Sequence, residues 1–559
     1  MYSGIIFNIM DIKTIKADGR CIRTEMKLLL DLYKEESNLP YSENPVVAAT
    51  ANGILRSLRE EIEDNAVVGS IRLFSQFGKR VYRKSLCLLL SYASSLLYPD
   101  RTLVIGHSLG DGFYFSYKDG FKPDINALKS VMEGAIREDL SIDIIRKRND
   151  EAERYAEEHN LRETLKLLRS RNDESYEFTA IGNFMSVYYE PVLPSLRILE
   201  VWDLMDYQDG LLLRYPQSRH PMSLMDFSDN PLLFSVFRDN KRIAGNLGLE
   251  SLGALNEAVS NGNINEKILL SEIAMQKRIS EAADDIEKRG SIKCVFISGP
   301  SSSGKTTFSM KLALELRALG YDPIKISLDD YYLKRELIPI DKDGEKDYEV
   351  LDALNLELFR SQLNSLLKGD SVNLASFSFK EQRTEFSATP VSMNDDSILI
   401  IEGIHGLNPA LVPDIDSSVI YRIYISALTQ LNLDSKSRIS TTDNRILRRL
   451  VRDARTRGFD AVETLSRWPS VERGEKSNIF PYQNNADIMV NSALEYELGV
   501  LSVYAVPLLK SVRKETGAPF TTARRLLEFL SLIYPISSET VPADSILREF
   551  IGGSAFNAT

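Results

Sequence analysis

Residues 299–306 read Gly-Pro-Ser-Ser-Ser-Gly-Lys-Thr, the G-x-x-x-x-G-K-[ST] spacing of a loop that cradles the phosphates of a nucleoside triphosphate. Each residue type has a part in that chemistry. Gly299 and Gly304 let backbone N–H groups turn inward on the β-phosphate, Lys305 reaches the β and γ oxygens, and the Thr306 hydroxyl is a ligand for Mg²⁺. Pro300, Ser301, Ser302, Ser303 and Thr307 complete the expected ATP-binding stretch. The apolar run 293–298 reads as a buried strand, and residues 306–319 place apolar residues at helical spacing. Strand, loop and helix thus follow in the order the site requires, and the helix N-terminus adds positive potential.

A phosphate loop alone does not choose between ATPase, GTPase and kinase chemistry. The stretch Ser327-Leu328-Asp329-Asp330-Tyr331-Tyr332 follows an expected strand at 322–326, at the carboxyl end where open α/β sheets bind ligands. There Asp329 can accept a proton from a hydroxyl attacking the γ-phosphate. The apolar strand 397–401 ends in Glu402, an acid placed to hold Mg²⁺ together with Thr306. Taken singly, Asp329 reads as a helix cap and Glu402 as a surface acid; the loop upstream gives both a use. In residues 444–459, Arg445, Arg448, Arg449 and Arg452 recur at i, i+3, i+4 and i+7, while Ile446, Leu447, Leu450 and Val451 line another face. Such a helix can be a lid whose guanidinium groups neutralise the transferred phosphoryl. A solvated charged face and an RNA-binding stripe are the alternatives.

Through G-P-S-S-S-G-K-T-T, S-L-D-D-Y-Y, D-Y-E-V-L-D-A, I-E-G-I-H-G-L-N-P and R-R-L-V-R-D, residues 299–498 resemble the uridine kinase and phosphoribulokinase group of P-loop kinases. The resemblance implies an α/β domain with a parallel sheet, ATP with Mg²⁺, and a nucleoside acceptor. Carried over by position, it implies Asp329 as the base toward a ribose 5′-hydroxyl and Arg449, Arg452 and Arg457 as lid arginines. Tyr332, Glu349, Arg383 and His405 fall on its acceptor side. Two departures touch the acceptor pocket: Phe377-Ser378-Phe379 stands where the group has tyrosine-aspartate-phenylalanine, and Phe459 stands where an arginine is frequent.

Further upstream, N-P-V-V-A-A-T-A-N-G-I-L-R-S-L, G-K-R-V-Y-R-K-S-L, V-I-G-H-S-L-G-D-G-F-Y-F-S-Y and G-N-F-M-S-V-Y-Y-E-P-V-L-P-S resemble the ubiquitin-like and editing-like modules of threonyl-tRNA synthetase. Their fusion to this kinase resembles a group of bacterial nucleoside kinases, as do R-I-S-T-T-D-N-R, R-W-P-S-V-E-R-G-E, N-I-F-P-Y-Q and I-L-R-E-F-I-G-G-S, segments that suggest no mechanism of their own. Hydrolytic editing relies on imidazole and thiol groups, yet the matching positions are Lys84, Leu88, Tyr188 and Val192. No zinc or editing site is therefore expected, and a structural, regulatory or acceptor-shielding role is. His107, in a motif of that module, reads as a packing or turn residue.

The chain of 559 residues, 43% hydrophobic and 26% charged, can bury several cores. A formal net charge of −11 disfavours broad nucleic-acid binding, and Cys21, Cys87 and Cys294 form neither a disulfide framework nor a metal spacing. No apolar run reaches a membrane span and no secretory leader is evident, so a cytoplasmic protein without a membrane partner is expected. The punctuation divides the chain into 1–68, a ubiquitin-like α/β module with a loop at 35–44; 69–265, a mixed α+β module with a helical insertion near 135–171; a connecting helix at 266–290; an α/β kinase domain at 291–510; and a helical extension and tail at 511–559. The expectation is an ATP- and Mg²⁺-dependent kinase for the 5′-hydroxyl of a nucleoside, uridine or cytidine first. A same-fold kinase for another polyol, such as a sugar phosphate, and an ATP-gated RNA-binding or regulatory protein are its rivals; a homo-oligomer is left open.

Overall fold

The computed structural model describes residues 13–24, 26–217, 220–340, 344, 346–378 and 383–556. Phe379 lies outside them. In the first module the strand order is Arg20–Thr24, Lys13–Ala17, Val67–Arg72, Val46–Ala51, Ile54–Ser57. Strand Val67–Arg72 crosses the boundary expected at residue 68. The stretch 35–44 is not a plain loop: it holds a helical turn, Lys34–Ser37, and a tighter one, Tyr41–Glu43, whose Tyr41 ring is buried against Tyr82 and Phe74. A buried aromatic gives a polar segment a reason to order.

The second module wraps two antiparallel sheets around the helix Gln76–Leu97, whose residues Leu86, Leu89, Leu90 and Ala93 are fully buried. One sheet runs Asp203–Tyr207, Gly210–Arg214, Gly112–Tyr117, Leu103–Leu109; the other runs Phe184–Val187, Ser175–Ile181, Asp143–Arg148. The insertion expected to be helical contains that last strand between the helices Ile125–Arg137 and Asn149–Glu158, because its alternating side chains complete a sheet edge. His107 packs as expected: its ring stacks on Phe237 at 3.5 Å between centroids, and burial keeps it well below the ordinary imidazole range.

The helix Ile264–Arg289 leads into the C-terminal domain. Five parallel strands lie there in the order Asp322–Ser327, Ser397–Glu402, Cys294–Ser298, Ile420–Ser426, Ile488–Asn491, which is 2-3-1-4-5 along the chain. Continuous apolar runs such as Cys-Val-Phe-Ile suit strands buried on both faces, and Cys294–Ser298 is buried throughout. Phe308, Leu312 and Leu316 of the helix Lys305–Ala318 cover one face, and Phe359, Leu363 and Leu366 of the helix Leu356–Leu367 cover the other. The C-terminal extension is part of this body rather than an appendage: Leu526, Leu530, Ile546, Leu547 and Phe550 join the first of those cores. Among the described residues no helix is long and apolar enough to cross a membrane.

Candidate active site

The central strand Cys294–Ser298 delivers the phosphate loop to its carboxyl end, and the helix Lys305–Ala318 starts at once behind it. Gly304 has φ +86°, and a Cβ there would meet Ile546 Cγ2 at 2.5 Å, so both backbone and packing require glycine. Lys305 Nζ donates to the loop's own carbonyls, Gly299 at 2.9 Å and Pro300 at 3.2 Å. Burial draws its ammonium down from the ordinary lysine range, with Glu402, Asp329 and Glu549 opposing in that order.

Glu402 ends its strand between two hydroxyl donors, Ser327 Oγ at 3.2 Å and Thr306 Oγ1 at 3.5 Å. Burial first, then the charge of Asp329, pushes its carboxyl up to about 7, while Lys305 pulls the other way. A hydroxyl and a carboxylate side by side are hard oxygen donors of the kind Mg²⁺ takes, and a divalent charge would relieve the like-charge strain between Glu402 and Asp329. These residues fit the expected cation. Asp329 sits exposed on the helical turn Leu328–Tyr331, which Ser327 caps by accepting the Asp329 N–H at 3.3 Å. Its neighbour Asp330 faces the other way, accepting the Phe377 N–H at 3.2 Å.

On the acceptor side, Tyr332 donates its hydroxyl to the Tyr348 carbonyl at 3.0 Å, tying Leu328–Tyr331 to the segment that carries Glu349. Glu349 lies against Gly474, where any Cβ would meet its own Cβ at 2.3 Å. The electrostatic reach of Glu349 takes in Glu475, Arg449, Lys305 and Asp329, which places it with the phosphate machinery. His405 is buried against the Val350 backbone, and burial lowers its ring to about 4. Its imidazole is therefore neutral near neutral pH. Arg383 is on an exposed hairpin strand, where it pairs with Glu385 at 2.8 Å.

The arginine helix differs most from expectation. It runs Thr441–Arg452 and ends in a wider turn, Asp453–Arg457. Arg445, Arg448 and Arg449 are buried, not spread over a solvated face. Arg445 pairs with Glu475 and donates to the Ser301 carbonyl at 2.9 Å; Arg448 pairs with Glu497 and holds the carbonyls of Ser492 at 2.8 Å and Ser302 at 3.3 Å. Arg449 donates to Ser301 Oγ at 2.9 Å. These three hold the phosphate loop from behind. Arg449, Arg452 and Arg457 then share one fully buried carboxylate, Asp453, at 3.2, 3.2 and 3.7 Å. The pairing replaces the mutual repulsion that the bare arginine count suggests.

Three further acids do work that spacing gave no sign of. Glu475 accepts the Ser301 N–H at 2.9 Å. Glu549, in the last motif quoted above, accepts both the N–H and the hydroxyl of Thr307, at 3.2 and 3.1 Å, and so caps the phosphate-loop helix where an α-phosphate would lie. Asp443, in R-I-S-T-T-D-N-R, is clasped by Arg80 at 2.7 Å and Arg525 at 2.8 Å; burial alone would raise it, but the two guanidinium groups hold it well below the usual carboxylate range. That clasp joins the second module, the C-terminal domain and the C-terminal extension.

A phosphate loop, two acids and an arginine cluster at the carboxyl end of a 2-3-1-4-5 parallel sheet define a P-loop kinase-type domain. Residues 294–498 match the model of the Phosphoribulokinase / Uridine kinase family. A uridine kinase of Lactobacillus helveticus is 28% identical over 206 residues, 36% of this chain and 88% of that protein. One of Halobacterium salinarum is 26% identical over 230 residues, 41% of this chain and 90% of its own. A threonine–tRNA ligase of Carboxydothermus hydrogenoformans is 28% identical over 223 residues, 37% of this chain, and the chain spans only 35% of that ligase. The chain thus joins a domain of this kinase family to an N-terminal region similar to threonine–tRNA ligases.

Proposed function

We propose that the protein transfers the γ-phosphoryl group of ATP to the 5′-hydroxyl of a nucleoside, uridine or cytidine first. The observation that carries this reading is the convergence of Asp329, Glu402, Thr306 and Lys305 at the carboxyl ends of three adjacent strands, with Glu349 and Tyr332 beside them. Asp329 takes the hydroxyl proton as the oxygen attacks phosphorus, the bond to the β–γ bridging oxygen breaks, and ADP leaves. Lys305 exchanges its carbonyl partners for the β and γ oxygens. Arg452 and Arg457 lie where they can share transition-state charge between Asp453 and the phosphoryl group. Mg²⁺, held by Thr306 and Glu402, supplies charge neutralisation on the phosphates. Glu349 serves as acceptor for ribose hydroxyls.

A panel of nucleosides, sugars and sugar phosphates with labelled ATP tests this reading. Phosphorylation of uridine or cytidine well ahead of every sugar supports it; transfer to a sugar phosphate alone overturns the acceptor and leaves the phosphoryl-transfer machinery standing.

A further inference from the structure

A cavity of about 590 Å³ opens between the second N-terminal module and the C-terminal domain, a size within the range of small-molecule sites. Of the four positions matched to editing residues, Lys84 is on its wall. Lys84 faces Ser437, with Nζ to Oγ at 2.7 Å. Arg83 lies over the Tyr215 ring at 4.6 Å, and Arg438 over the Phe113 ring at 5.2 Å. Among the described residues none of these three cations forms an ion pair. Lys436 is on the wall too, its Nζ donating to the Met185 carbonyl at 3.2 Å and lying 4.4 Å over the Phe184 ring, whereas Arg80 is matched with Glu190 and Asp443, Arg445 with Glu475, Lys476 with Glu472, and Asp111 with Arg214.

Cations without an acidic partner in a partly enclosed space are costly unless an anion joins them. Guanidinium forks favour the tetrahedral oxygens of phosphate, which accept two parallel N–H bonds. Trp468, Tyr189 and Phe237 supply flat apolar surface on the same cavity, suited to a planar ring. We propose that this cavity binds an organic phosphate of nucleotide size, its phosphate held by Arg83, Lys84 and Arg438 and its ring against the aromatic wall. Occupancy is relayed to the phosphate loop, because Arg445 and Glu475 line the cavity and also hold the Ser301 carbonyl and N–H. Binding stands independently of the kinase reading; the relay rests on it.

The test is calorimetric titration of the full chain with uridine monophosphate, adenosine monophosphate, ribose 5-phosphate and inorganic phosphate, repeated on an Arg83→Met, Arg438→Met double variant. Neither position lines the phosphate loop. At least one nucleoside monophosphate is expected to bind outside the ATP site, with AMP-PNP present, and to lose about tenfold or more in affinity in the double variant. Without ligand the double variant is expected to melt no lower than the parent, because it removes unmatched, half-buried charge. Equal binding to parent and variant, a lower apo melting temperature, or binding of transfer RNA in the absence of any small phosphate would each overturn the proposal. Binding to the parent that leaves ATP affinity unchanged would remove the relay and keep the site; absence of phosphotransfer in the parent with intact binding would count against the kinase reading alone.

Discussion

Arg448 and Glu497 form an ion pair whose side chains are 0% and 1% exposed, and the same guanidinium holds the Ser302 carbonyl of the phosphate loop at 3.3 Å. The helix Thr441–Arg452, which carries four arginines, is therefore anchored at its centre. Arg448→Ala leaves Glu497 buried without its partner, and a loss of about 3–5 kcal/mol in the stability of the C-terminal domain is expected. Chemical denaturation followed by tryptophan fluorescence in a Trp202→Phe background, where Trp468 is the remaining reporter, checks it; an unchanged midpoint would show that the pair contributes little.

Arg452 lies differently: its guanidinium reaches Asp453 at 3.2 Å beside the nucleotide machinery and holds no part of the loop. Arg452→Ala is expected to lower turnover by about two decades or more while changing ATP affinity little, since its charge is wanted chiefly in the transition state. A steady-state comparison with a nucleotide-binding titration separates the two. Weakened RNA binding with unaltered phosphotransfer would favour the RNA-binding rival instead.

Asp329 is exposed at the strand end while Asp330 is engaged with the Phe377 N–H. Asp329→Asn removes the proton acceptor at nearly constant volume, so turnover is expected to fall by roughly two to four decades with ATP binding retained. Near-normal turnover in this variant would move the base to another group.

Burial, with the charge of Glu475, pushes Glu349 up to about 7 from 4.5, against the pull of Arg449 and Lys305. Between those values the folded protein keeps a proton that the unfolded chain has released, so this group's contribution to stability falls as pH rises through that window. Glu349→Gln is expected to flatten that part of the melting-temperature profile, and Glu349→Ala to raise the nucleoside KM more than it lowers kcat. Parallel profiles for parent and Glu349→Gln would refute the shift.

Glu549 occupies the Thr307 N–H and hydroxyl, donors that a triphosphate would use. Removing its charge at a helix N-terminus is worth about 1 kcal/mol, so Glu549→Gln is expected to tighten ATP binding roughly fivefold. Weaker binding would mean that Glu549 supports the nucleotide rather than competing with it.

The local chemistry was legible in the chain because it is contiguous. The phosphate loop, the Asp329 turn and the Glu402 strand end are each one short segment, and their buried parallel strands write themselves as unbroken apolar runs. The arginine helix was legible only as a helix. Whether its charges face solvent, substrate or buried acids depends on Glu475, Glu497 and Asp453, and the first two come from other elements. The surroundings of the acceptor-side residues were illegible for the same reason: Glu349 lies within electrostatic reach of Lys305 and Asp329, Arg383 pairs with Glu385 on a hairpin, and His405 is buried. Glu549 meets Thr307 across 242 residues, and Arg80 meets Asp443 across 363. Residue type and spacing fix chemistry within one element, where backbone geometry sets the distances; contacts between elements, and the cationic cavity between modules, exist only once hydrophobic burial has brought distant segments together.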